Sequence, residues 1–184
     1  MELAPVASVD RSALRWLRTR DRPDSFSLLA GDSTIATLEW AQRGGSLATA
    51  RTASDEWSLK RGGFLNPHIT VRSGEAPRAR LSVHLNYHQI DLAGGASYRF
   101  HRAGVLVPAW KVTTPGGKEV LHLEPVREGR RLTAGAVVVD PAAQSLPELL
   151  LLAVLAWYFI VLAWFEDEAV VPFEGADFPA PPSQ

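Results

Sequence analysis

The sequence contains no cysteine, only three lysines and no basic residue after position 145. A chain without cysteine cannot form a disulfide scaffold, a thiol nucleophile, a zinc finger or a cysteine-ligated iron–sulfur cluster. The start of the chain also lacks the basic and apolar segments of a signal peptide. These absences favour a cytoplasmic location. The formal net charge of −1 argues against a polycation that binds nucleic acid.

The charge is distributed unevenly along the chain. Residues 1–145 contain 19 basic and 14 acidic residues, whereas residues 146–184 contain 6 acidic residues and no basic one. We expect one domain over residues 12–168, an N-terminal arm over residues 1–11 and a proline-rich acidic tail over residues 169–184. The tail either solvates itself or shields a basic face of the domain.

Most of the chain is predicted to form β-strands joined by tight turns. Apolar and polar residues alternate in short runs, as in Ser33–Trp40 and around Trp57 and Leu59. Glycine pairs, which suit tight hairpins, separate several of these runs. The pairs begin at Gly44, Gly62, Gly94 and Gly116. The pattern predicts a mainly β fold, an antiparallel barrel or sandwich of about ten to twelve strands.

Residues 149–165 form an uncharged apolar run, and we predict a helix over about residues 147–166. A helix that is apolar on every side needs nonpolar surroundings, which lipid or protein could supply. Its 17 residues would span about 26 Å, near the lower limit for a bilayer. A barrel of about twelve strands leaves room about 12 Å wide inside, enough for one helix. We therefore expect an antiparallel β-barrel that encloses the C-terminal helix. A single-pass membrane segment over residues 149–165 is the alternative.

This order of elements resembles the tubby C-terminal-like superfamily, which includes tubby domains, phospholipid scramblases and the plant LURP-one-related proteins. The most similar features are Glu56-Trp57-Ser58-Leu59 before Gly63-Phe64-Leu65, then Ile69-Thr70-Val71-Arg72, Tyr98-Arg99-Phe100, Trp110-Lys111-Val112 before Gly117, and residues 149–165. The resemblance implies a twelve-stranded barrel around a C-terminal helix. It also implies association with lipids, because tubby domains bind phosphoinositides through basic side chains on the barrel wall. The chain departs from scramblases in having no cysteine for palmitoylation and no acidic loop before the helix.

The candidate ligand-binding residues are basic. Arg78 and Arg80 are two residues apart, so both would emerge from one face of a strand, where their guanidinium groups could bind one phosphate. Lys60, Arg61 and Arg99 are further candidates for an anionic headgroup site. A merely solvated outer wall is the alternative interpretation.

The sequence contains no motif of a known catalytic site, and we predict that the protein is not an enzyme and needs no cofactor. His84 and His88 are four residues apart, but they have no third ligand nearby, so no metal site is predicted. The leading hypothesis is a monomeric cytoplasmic protein, peripheral to the membrane, that binds anionic lipid headgroups or a protein partner. The alternatives are a membrane-anchored protein with a β-rich cytoplasmic domain, and a structural or interaction module.

Overall fold

The computed structural model describes residues 3–5, 10–22, 24–104, 108–129 and 131–169, and only the backbone of residues 166–169. Within these residues, twelve strands precede one α-helix. The strands are β1 (Ala13–Arg18), β2 (Ser25–Ala30), β3 (Ser33–Trp40), β4 (Leu47–Thr52), β5 (Glu56–Gly62), β6 (His68–Ser73), β7 (Ala76–Val83), β8 (His88–Leu92), β9 (Ser97–Ala103), β10 (Ala109–Thr113), β11 (Glu119–Glu128) and β12 (Arg131–Val139). A short 3-10 turn (Pro141–Ala143) leads to the helix α1 (Leu149–Ala169).

The strands form a closed antiparallel barrel in which each strand pairs with its neighbours in sequence. Pairing of β1 with β12 closes the wall, with Trp16 opposite Gly135. The predicted mainly β barrel with a C-terminal helix is confirmed. The helix begins two residues later and ends three residues later than predicted. The predicted acidic tail lies outside the described residues, except for Ala169.

Antiparallel order places alternate connections at opposite ends of the barrel. The turns after β2, β4, β6, β8 and β10 lie at the end where α1 begins, which we call the entry end. The loops after the odd-numbered strands lie at the exit end, which α1 approaches with its C-terminus. All four predicted glycine pairs lie at the connections between adjacent strands, with Gly62 as the last residue of β5, and one glycine of each pair has a positive φ.

The apolar helix fills the interior of the barrel. Residues 152–158 of α1 are completely buried. Trp157 stacks on Trp16 of β1 with ring centroids 5.7 Å apart, and Tyr158 stacks on Trp40 of β3 at 5.5 Å. The wall thus supplies the nonpolar surroundings that a uniformly apolar helix requires. Within the described residues, no helix is long and apolar enough to cross a lipid bilayer.

Gly135 in β12 provides the space for the fully buried tryptophan of the helix, Trp157. A Cβ atom at this position would collide with the ring of Trp157, which is itself fully buried against Trp16. A glycine inside a strand commonly marks such a close approach. The position of the helix inside the wall therefore depends on the absence of a side chain at Gly135.

Candidate functional site

The basic side chains predicted to bind a ligand occupy three different places. Lys60 of β5 and Arg80 of β7 lie on the outer wall, both opposite Thr70 of β6. Arg99 of β9 is also exposed and lies opposite Gln89 of β8. Gln89 is two residues nearer the exit end than Asp91, which lies opposite Arg80. The structure therefore brings three of the five predicted residues onto one face.

Arg72 extends this face and was not among the predicted residues. It is exposed on β6, two residues beyond Thr70, and its guanidinium lies 3.6 Å from the carboxylate of Glu75. The alternation of Ile69, Thr70, Val71 and Arg72 could have identified it, because that pattern turns Arg72 outward. We call Lys60, Arg72, Arg80 and Arg99 the cationic wall. Asp91, opposite Arg80, is an acidic neighbour within this face.

Arg78 is separated from Arg80 by an irregularity in the sheet. The register between β6 and β7 shifts after Val71, and Arg78 has no partner residue in β6. Arg78 lines a depression at the entry end together with Asp55 and Glu148. Beside the bulge, Arg78 thus shares a depression with two acidic residues, an arrangement that alternation along a strand does not predict.

Arg61 occupies a position that faces the barrel interior. It follows the inward-facing Trp57 and Leu59 in the alternation of β5, and it lines a groove at the exit end. Tyr158 nearby donates a hydrogen bond to the carbonyl of Ser46, and burial raises the pKa of the Tyr158 hydroxyl. Arg61 is therefore not part of the cationic wall, although Lys60 immediately precedes it.

Two adjoining loops at the exit end present large apolar side chains to solvent. Phe64 and Leu65, in the loop between β5 and β6, are 100% and 86% exposed, and Leu85, between β7 and β8, is 98% exposed. We call these three residues the loop tips. Val83 donates a backbone hydrogen bond to the Pro67 carbonyl at 3.2 Å, which joins the bases of the two loops.

The conformation of the first of these loops requires glycine. Gly63 has a φ of 79°, and a Cβ there would collide with the backbone carbonyl of Asn66. Sequence reasoning missed the loop tips, although the apolar pair Phe64-Leu65 stands directly after this glycine. Two consecutive apolar residues within a turn do not follow the alternation of apolar and polar residues that identifies a strand, so the pattern does not single them out.

A small groove lies between the loop bases and the helix. Its volume is about 140 Å³. The groove is bounded by the exit ends of β5, β6 and β7 on one side and by the last turns of α1 on the other. It is lined by Arg61, Pro67, His68, Ile69, Val83, Phe159, Leu162 and Ala163.

A histidine packs among aromatic rings beside this groove. The ring of His88 lies 4.4 Å from that of Phe159 and 5.9 Å from that of Phe100, measured between centroids. Burial, and to a lesser extent the nearby His84, together lower the pKa of His88 to about 4. His88 is therefore neutral at physiological pH.

Within the described residues, no three histidine, aspartate or glutamate side chains are grouped so that they could hold a metal ion.

No protein-family model, curated protein or solved structure matches this chain. The chemistry of its own surface is therefore the guide to its function. The two features with the clearest chemistry are the cationic wall and the loop tips, which adjoin each other through β5, β6 and β7.

Proposed function

We propose that this protein binds anionic membrane surfaces peripherally, with the loop tips inserted among the lipid headgroups. The observation that carries this proposal is the near-complete exposure of Phe64, Leu65 and Leu85 on two joined loops. Exposed apolar side chains of this size, grouped at one site, are typical of interaction surfaces. The filled interior of the barrel supports a function at its outer surface.

The cationic wall supplies the preference for negative charge. Lys60, Arg80 and Arg99 are exposed on the strands that carry the two loops or adjoin them. A lysine or arginine near an anionic leaflet contributes about 1 kcal/mol to binding, and salt weakens this contribution. The barrel would meet the bilayer obliquely, with the loop tips first and the wall of β5 to β9 turned toward the headgroups. The resemblance to tubby-like proteins is consistent with this orientation and stays a prediction.

Cosedimentation with phosphatidylcholine vesicles, with and without about 30% phosphatidylserine, tests the proposal. We expect binding to the anionic vesicles that falls as salt is raised. Replacing the loop tips (Phe64→Ser, Leu65→Ser, Leu85→Ser) should weaken binding by about 100-fold, because each loses roughly 1 kcal/mol or more of apolar burial. The double variant Lys60→Gln, Arg80→Gln should weaken it by about 10- to 30-fold at low salt.

Matched controls remove the same chemistry elsewhere on the barrel. Val138→Ser removes an exposed apolar side chain from β12, and Arg15→Gln with Lys118→Gln removes two exposed cations. Both controls should bind like the parent chain. Absence of binding at low salt would refute the proposal. Equal losses in test and control variants would show that the wall and the loop tips are not the membrane contact.

A further inference from the structure

Exposed apolar side chains are concentrated at the exit end of the barrel. Of the large apolar side chains that are exposed in the described residues, all but Val138 lie at this end. Leu47 at the start of β4 and Val83 at the end of β7 belong to this group. Together with the loop tips, they place exposed apolar side chains on the exit ends of the strands from β4 to β8 and on the loops between them.

The groove beside these loops has the size of one aromatic ring. Its volume is about 140 Å³, and an apolar cavity of about 150 Å³ accepts a benzene molecule. Ile69 of the wall and Phe159 and Leu162 of the helix supply apolar side chains to its lining. The phenyl ring of a partner molecule therefore suits this space.

Phe64 is a phenyl side chain that this protein itself presents next to the groove. Its ring is fully exposed, so it does not occupy the groove of its own chain. It follows Gly63, whose backbone approaches the carbonyl of Asn66 in a tight turn. Arg61 and Pro67, on the two sides of this turn, line the groove. Three residues separate Phe64 from Pro67, so the chain distance between ring and groove is at most about 10 Å.

A two-fold axis would exchange the ring and the groove between two copies of the chain. In a symmetric dimer the same patch occurs on both copies, so a contact of one residue with another is always made twice. An axis midway between Phe64 and the groove places each ring at the groove of the other copy. Because both features lie at the exit end, the two barrels meet end to end.

The exposed apolar area is sufficient for a weak dimer. A buried phenylalanine side chain removes about 150–250 Å² from water. The loop tips of two copies, with the groove surfaces that receive them, would bury on the order of 1,000 Å². Stable interfaces usually bury about 1,200–2,000 Å², whereas transient ones are smaller. The expected dimer is therefore weak and depends on protein concentration.

We propose that two copies of this chain associate end to end, with the Phe64 ring of each copy in the groove of the other. The same loop tips are proposed to enter the membrane, so the dimer and the membrane-bound state exclude each other. This regulatory consequence rests on the proposed function, whereas the dimer itself does not. The monomer predicted from the sequence is then the form that binds the membrane.

Sedimentation equilibrium of the full chain, from about 5 to about 500 μM, tests the dimer. We expect a reversible equilibrium between monomer and dimer. Phe64→Ser removes the ring, and Ala163→Phe fills the groove from the helix. Either variant eliminates both ring contacts of its own dimer and should raise the dissociation constant at least about 100-fold, because each contact contributes a factor of about ten or more. Val138→Ser, a control near the entry end of β12, should associate like the parent chain.

A mixture of the two variants distinguishes the proposed contact from general adhesion of apolar surfaces. A mixed dimer keeps the ring of the Ala163→Phe chain and the groove of the Phe64→Ser chain. The mixture should therefore associate about 10-fold more tightly than either variant alone. If Ala163→Phe fails to fold, Val83→Trp fills the groove from the wall instead. A parent chain that stays monomeric, or a mixture that associates no better than its components, would overturn the dimer.

Vesicle binding then tests the competition separately. At a protein concentration about ten times the dimer dissociation constant, only about one fifth of the parent chain is monomeric. The Ala163→Phe variant keeps its loop tips and should therefore bind anionic vesicles about fivefold better than the parent under these conditions. Equal binding by the two would overturn the competition and leave the dimer in place. A dimer in a chain that binds no vesicles would refute the proposed function and still support the dimer.

Discussion

The two ends of the barrel differ in charge and in exposed apolar surface. The turns and the helix approach at the entry end carry the acidic residues Asp32, Asp55, Glu75, Asp140 and Glu148, with Lys118 as a basic neighbour. The exit-end loops carry Arg20, Arg22 and Arg43, with Asp21 and Asp24. Large apolar side chains are exposed in the exit-end loops, and in none of the described entry-end turns.

The ends also differ in how they use their side chains. At the entry end, Tyr98 donates a hydrogen bond to the Glu148 carboxylate at 2.5 Å, immediately before α1 begins. At the exit end, by contrast, the side chains of Phe64, Leu65 and Leu85 face solvent. At the entry end a side chain thus holds the start of the enclosed helix, whereas the exit end exposes the apolar side chains on which the proposed membrane contact depends.

The largest expected effect comes from a substitution that should disturb both ends together. Gly135→Ala forces a methyl group into the ring of Trp157, which is fully buried and stacked on Trp16. Overpacking of this kind costs about 1–3 kcal/mol, and we expect the upper part of this range because neither ring can move aside freely. Chemical denaturation measures the loss. Gly94→Ala, in an open turn, is the control and should have a small effect. An unchanged stability of Gly135→Ala would mean that the helix does not pack as closely as described.

A substitution with a smaller expected effect distinguishes the roles of the two ends. Tyr98→Phe removes the hydroxyl that donates to Glu148, and a hydrogen bond to a charged group contributes about 1.5–3 kcal/mol. We expect a loss of about 1–2 kcal/mol in the free energy of unfolding, without any change in vesicle binding. Tyr87→Phe, in a loop at the exit end, should leave stability nearly unchanged. Reduced membrane binding by Tyr98→Phe at a temperature where it is folded would contradict the division between the ends.

The smallest expected effect concerns acid sensitivity at the exit end. Burial lowers the pKa of His88 to about 4, so the unfolded chain binds a proton at higher pH than the folded chain does. Stability should therefore be full above pH about 6.5 and decline as the pH falls toward 4. Because the ring is partly accessible, we expect a loss of about 1 kcal/mol. Denaturation at pH 7 and pH 5 measures the loss, and His88→Gln should reduce the difference in stability between these two pH values. An equal pH dependence in the parent chain and in His88→Gln would contradict this assignment.

The barrel could be predicted from the sequence because its signals are local. Alternation within β3 and positive-φ glycines such as Gly44 and Gly95 mark strands and turns without reference to distant residues. The enclosed helix followed from its apolar run and the size of the barrel.

The site was harder to predict because it depends on how strands pair and end. Alternation identified Lys60, Arg80 and Arg99 as outward, but the bulge beside Arg78 changes its place, and no sequence signal reports a bulge. Arg61 turns inward because it stands in register with the inward-facing Ile69 at the end of its strand. The loop tips were missed because Phe64 and Leu85 are apolar residues outside any regular pattern.

The position of α1 after all twelve strands has a consequence for biosynthesis. The segment that fills the barrel is made after all twelve strands, and the closing contact joins β1 to β12 across nearly the full length of the domain. A wall made earlier would surround an empty apolar space. Barrels closed by contacts between residues far apart in sequence fold slowly, and their apolar surface stays exposed until folding is complete. Because α1 fills the barrel interior, the fold can be completed only after this helix has left the ribosome.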